Sequence, residues 1–145
     1  MHKHGIALAI ALAFGFGHAF AADAMSRDTY KAEKDKIEAT AKADKKACEP
    51  MKENAKDICQ AEAKAKEKIA KAELDAQNKP GAKADEKVAK MKAEGTYEVA
   101  KEKCEDQKGD GMMACKKDAK AAYDKAKADA KMATATKKAA DAKKS

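Results

Sequence analysis

Apolar residues in this chain recur at steps of three and four, the period of a helix that turns one face toward a neighbour. Ile58, Ala61, Ala65, Ile69, Ala72 and Ala76 give the most regular stripe. They predict a helix from about Lys56 that ends at Asn78, Pro80 and Gly81. Tyr30, Ile37 and Ala41 predict another, opened by Ser26 as N-cap with Asp28 in its first turn, and stopped after about Cys48 by Pro50. Ala84, Val88 and Met91 predict a third over roughly Lys83 to Cys104, with a weak point at Gly95-Thr96. After Gly111 the register Met112, Cys115, Ala119, Ala122 and Ala126 predicts a fourth. A Lys, Ala and Thr tail over residues 131–145 is expected to be frayed and disordered.

The first 21 residues follow a different pattern. His2, Lys3 and His4 precede an almost unbroken apolar run, Gly5 to Phe16, which is too short for a membrane anchor. Ala19-Phe20-Ala21 then supplies small residues at a cleavage position. Residues 1–21 therefore read as a secretory signal peptide cut after Ala21. Lipid attachment has no cysteine acceptor next to that position. The exported chain is expected in the periplasm, with no transmembrane segment of its own.

Removing that segment changes the composition. All three Phe and all three His lie within it, and only Ile37, Ile58, Ile69, Leu74, Val88 and Val99 remain of the Leu, Ile, Val and Phe set. Six such residues cannot fill a globular core. Alanine, lysine and glutamate are nonetheless the strongest helix formers, so the expected class is all-α, built of extended helical hairpins with a small core. The formal charge of the whole chain is +7, and +4 of it falls in residues 131–145, where Lys131, Lys137, Lys138, Lys143 and Lys144 face only Asp141. The body alternates in sign. Glu38 with Lys42, Glu62 with Lys66, Glu67 with Lys71 and Glu86 with Lys90 are spaced as i,i+4 pairs on a solvated helix face.

Four cysteines, Cys48, Cys59, Cys104 and Cys115, form two pairs with ten residues between partners. A shift of 56 residues superposes Cys48 on Cys104 and Cys59 on Cys115, together with Ala63-Lys64-Ala65 on Ala119-Lys120-Ala121. This suggests a duplicated helix, loop, helix unit, over 22–80 and 81–130. An exported protein with an even cysteine count is read as disulfide-bonded. An eleven-residue step along one unbroken helix separates Cα atoms by about 16 Å, beyond the reach of a disulfide, so local pairing needs the chain to reverse between the partners. Pro50 and Asn54 in one loop, and Gly109-Asp110-Gly111 in the other, permit that reversal. The alternative joins Cys48 to Cys115 and Cys59 to Cys104 across one long hairpin centred beside Pro80. It resembles, in topology, the twin-cysteine helical hairpins of mitochondrial intermembrane-space proteins. The cost of running helices through Pro50 and the two glycines favours the local pairing, and the crossed ladder stays as the alternative.

The run Ala61-Glu62-Ala63-Lys64-Ala65-Lys66-Glu67-Lys68-Ile69-Ala70-Lys71-Ala72-Glu73-Leu74 resembles the long Lys/Ala/Glu helix of TolA, a protein that spans the Gram-negative envelope. The whole chain, with its leader, its AKDIC segment and its YEVAKEKCED segment, is similar to small exported Gram-negative proteins labelled TolA-like or cell-envelope proteins. The likeness to TolA itself covers composition only, and its force transmission does not carry over.

Catalysis finds little material. After residue 21 the chain holds no His, its serines are Ser26 and Ser145, and its carboxylates neighbour lysines on exposed faces. The glycines make no phosphate loop and the cysteines lack the tight spacing of zinc ligands, so no cofactor and no metal are expected. Two function classes remain. One is a non-enzymatic structural or interaction protein of the envelope, a disulfide-clamped spacer or stress-related factor, whose partners are envelope components or another copy of itself. The other is a polyanion binder whose Lys-rich tail takes lipopolysaccharide, acidic lipid or nucleic acid.

Overall fold

A computed structural model describes residues 25–143. The signal peptide expected over 1–21 lies outside the described residues, as does Lys144. Four helices run α1 (Arg27–Ala47), α2 (Glu53–Asn78), α3 (Ala82–Cys104) and α4 (Asp110–Ala142), and the described residues include no strand. The all-helical class and the hairpin architecture expected from periodicity are present. No described helix is long and apolar enough to cross a membrane.

The helix ends follow local chemistry. Ser26 caps α1, its Oγ accepting from the Thr29 backbone N–H at 3.1 Å, and Lys45 and Lys46 sit in the last turn where the helix dipole favours cations. Helix α1 stops at Cys48, two residues before Pro50. Gly109 precedes α4 with φ of 57°, a left-handed conformation that glycine adopts without steric cost.

The helices form one open layer. Helix α1 packs on α2, α2 on α3 and α3 on α4, while α1 and α4 occupy opposite edges and do not meet. The inner helices therefore need two apolar faces each. On α2, Ala61, Ala65 and Ala72 lie on the side of α3, and Ala63 and Leu74, three turns apart, lie on the opposite side toward α1. Only the first of these stripes stands out in the sequence. On α3, Gly95 faces α2, and Ala93 and Cys104 face α4. Leu74 is the one buried apolar residue larger than cysteine among the described residues. Small side chains let backbones approach. A Cβ placed on Gly95 would stand 2.8 Å from the Ala65 Cβ, so α2 approaches too closely here for a side chain, and α3 continues through Gly95-Thr96 without a break. The expected weak point is instead a contact that requires glycine.

One part of the sequence reading changes at the C-terminus. Where a disordered tail is expected from Lys131, α4 continues to Ala142. Ala130 and Thr134 are buried against α3, and the Thr134 hydroxyl donates to the Ala130 carbonyl at 2.9 Å and approaches the Ala82 carbonyl at 3.4 Å. Ala, Lys and Thr lack the bulk that marks a packed stripe in a sequence; Thr134 is the one buried residue of 131–142, and Lys137 pairs with Asp85 of α3.

Ion pairs stitch the layer. Of the four spaced i,i+4 pairs, Glu67–Lys71 and Glu86–Lys90 form within their helices. Glu38 instead meets Lys71 of α2, and Glu62 meets Lys103 of α3, because neighbouring helices bring opposite charges within reach. Two carboxylates act as junctions. Glu67 accepts from Lys45 of α1 at 2.6 Å and from Lys71 at 2.9 Å, and these hydrogen bonds hold its carboxyl at about 2. Asp75 of α2 accepts from Lys87 of α3 at 2.5 Å and from the Tyr30 hydroxyl of α1 at 2.7 Å, joining three helices. Lys87 and Tyr30 lower its carboxyl below the usual range, and its hydrogen bond raises the Tyr30 hydroxyl.

A folded-state value below the ordinary 4.5 of glutamate means that Glu67 stabilises the fold fully above that pH and that its contribution is lost as pH falls toward 2. The melting temperature is therefore expected to drop over that interval, and Glu67→Gln to flatten part of the drop. Thermal unfolding followed by circular dichroism across the interval checks this. An equal drop in both proteins would contradict the assignment.

Candidate functional site

Each cysteine belongs to a helix terminus. Cys48 closes α1 and Cys104 ends α3, while Cys59 and Cys115 lie one to two turns inside α2 and α4. Reversal of the chain through residues 48–52 and 105–109 brings partners together. The cystines are Cys48–Cys59 and Cys104–Cys115, each with Cα atoms 5.6 Å apart. The local pairing is thus the one present, and the crossed ladder is not. Its physical reason is the termination of α1 before Pro50 and of α3 before Gly109, which makes each partner a neighbour of the other. Cys48 and Cys104 are fully buried, and Cys59 and Cys115 are half-buried.

Antiparallel stacking puts both cystines at the same end of the layer, and a residue that the sequence marks only as a loop former connects them. Asn54, in the first turn of α2, donates from Nδ2 to the Glu102 carbonyl at 2.7 Å and to the Asp106 carboxylate at 2.8 Å. The same carbonyl, at the C-terminus of α3, accepts from the Glu105 backbone N–H at 3.0 Å, so Asn54 adds a second donor to an acceptor at the helix end. Lys116 and Glu105 form an ion pair at 2.5 Å across the second loop. Glu53, at the start of α2, has φ of 51°, so the first cystine loop holds a glutamate in the left-handed region.

The described residues include no free cysteine, and no group of three or more His, Cys, Asp and Glu side chains is placed to hold a metal ion. Met51 and Met113 are exposed near the cystines, and Met112 is half-buried. Elsewhere, Tyr97 of α3 and Tyr123 of α4 stack with ring centroids 5.0 Å apart, flanked by Lys101 and Lys127 at 5.0 and 4.8 Å from the rings. The pair seals α3 to α4 beside a groove lined by Ala89, Ala93, Ala122 and Ala126. The stripe read from the sequence for the fourth helix leaves out Tyr123, although Tyr123 stands four residues after Ala119 and three before Ala126 on the same face.

The lysines expected to bind polyanions separate on the structure. Lys131, Lys138 and Lys143 are exposed on or just beyond α4, Lys137 is paired with Asp85 of α3, and Lys144 lies outside the described residues. They do not converge on a pocket with the cystines, which lie at the other end of α4.

No protein-family model matches this chain, and no curated protein or solved structure does either.

Trypsin places the four cysteines on separate peptides, residues 47–52, 57–64, 104–108 and 109–116. Non-reduced digestion is expected to yield 47–52 joined to 57–64 and 104–108 joined to 109–116. Peptides 47–52 with 109–116 as the major species would contradict the pairing.

Proposed function

We propose that this chain is a non-enzymatic structural or interaction protein of a bacterial envelope, exported through the segment 1–21 and clamped by its cystines in an oxidising compartment. The observation that carries this reading is the placement of both cystines at one end of a layer whose buried contacts are mostly alanine and whose helices are further joined by ion pairs. Such a molecule presents fixed helix faces. Its cohesion depends on oxidation, which cytosolic thiol buffers oppose and the periplasm supports. The TolA-like pattern of residues 61–74 and the 56-residue cysteine shift support the same reading, as a duplicated hairpin unit serving as a spacer between envelope components. A second activity, anion binding, is favoured by the exposed positions of Lys131, Lys138 and Lys143.

The test is genetic and biochemical together. In a Gram-negative host that lacks the gene, the intact protein is expected to be recovered from the periplasm with a mass beginning at Ala22. It should also restore resistance to envelope stress such as detergent or chelator. A variant with all four cysteines changed to serine is expected to reach the periplasm and fail to restore it. Equal restoration by that variant would sink the spacer reading.

A further inference from the structure

Charge in this molecule is sorted along the helix axes. At the cystine end, residues 45–57 and 102–118 carry eight basic and eight acidic side chains. At the opposite edge, residues 27–31, 79–85 and 131–143 carry eight basic and three acidic ones. Contacts between elements show that these three segments share that edge. Tyr30 near the start of α1 reaches Asp75 near the end of α2, Asp75 reaches Lys87 in α3, and Thr134 and Lys137 of α4 reach Ala82 and Asp85. Arg27, Lys31, Lys79, Lys83 and Lys131 are exposed there, and none of them forms an ion pair among the described residues.

From this we infer that the edge opposite the cystines is a docking surface for an anionic lipid bilayer, on which the helix layer stands edge-on. The inference rests on the anion-binding reading but moves its site from the tail alone to a composite of four helix ends. Two arguments fix the occupant. The cations are strung along the edge from α1 to α4, a span of about 25 Å at ordinary helix spacing, and converge on no pocket. A flat array of phosphates meets all of them at once, whereas a single phosphate meets one or two.

Sedimentation with phosphatidylglycerol/phosphatidylcholine vesicles tests this, using protein recovered from the periplasm with both cystines formed. The intact protein is expected to bind these vesicles, to release them in moderate salt, and to ignore pure phosphatidylcholine. Two variants remove comparable charge from the edge: Arg27→Gln/Lys31→Gln/Lys79→Gln/Lys83→Gln, and Lys131→Gln/Lys138→Gln/Lys143→Gln. Each is expected to weaken partitioning by about tenfold or more. Lys46→Gln/Lys52→Gln/Lys56→Gln/Lys117→Gln, at the cystine end, is expected to bind as the intact protein does. Helical circular dichroism of each variant, unchanged, separates lost binding from lost folding.

Full binding by the first variant with loss in the second would overturn the composite edge in favour of the tail. Equal weakening by the cystine-end variant, or binding to neutral vesicles, would overturn it as well. Soluble polyphosphate or duplex DNA bound while anionic vesicles are not would overturn the bilayer as partner and leave anion binding standing. Failure to bind any of these would remove both.

Discussion

Covalent closure of two eleven-residue steps, Cys48 to Cys59 and Cys104 to Cys115, is the constraint on which the rest of this structure depends. The buried apolar residues are mostly alanines, with Leu74 the largest, so each interface removes little apolar surface from water. Fixing more than a hundred residues as helices opposes that small gain with a large loss of chain entropy. Each closed loop offsets about 3 kcal/mol of that loss in the chain-entropy model. The closures also set the alignment of α1 on α2 and of α3 on α4, which lets Tyr30, Glu67 and Tyr123 find their partners on the neighbouring helix.

Small side chains explain the open layer as well. Large residues on one face of each helix would gather four helices around a common centre. Here α2 and α3 carry thin stripes on opposite sides, so each accommodates two neighbours and the outer helices are kept apart. Gly95 against Ala65 shows how close this packing is, since even a methyl group would clash. Where apolar contact is thin, charge contributes to alignment. Asp75 joins α1, α2 and α3, Glu67 ties α1 to α2, and Lys68 of α2 reaches both Glu94 and Glu98 of α3. Individually these part-exposed pairs are worth little, and as a ladder along each interface they favour one register over its neighbours.

Much of this was legible from residue order. The four helices, the Ser26 cap, the stop at Pro50 and the reversal at Gly109 follow from propensity and turn chemistry, and the local cystines follow from those stops. The features that escaped depend on partners distant in sequence. Glu38 and Glu62 satisfy the i,i+4 spacing yet bond across helices, because spacing along one helix says nothing of what stands beside it. Gly95 has the signature of a helix weak point, and only the approach of Ala65 shows why glycine is required. Residues 131–142 carry the composition of a disordered tail, and the contact of Thr134 with the Ala82 end of α3 has no signature in the sequence. Asn54 reads as a loop residue until the two cystine loops are seen side by side.

If closure holds a layer that its own packing barely sustains, removing it should cost far more than removing any ion pair. The direct measurement is urea unfolding of the intact protein beside Cys48→Ser/Cys59→Ser, Cys104→Ser/Cys115→Ser and the variant with all four changes. The account predicts a loss of about 3 kcal/mol for each pair and no cooperative transition when both are gone. A four-serine protein that unfolds cooperatively at the same midpoint as the intact one would contradict it.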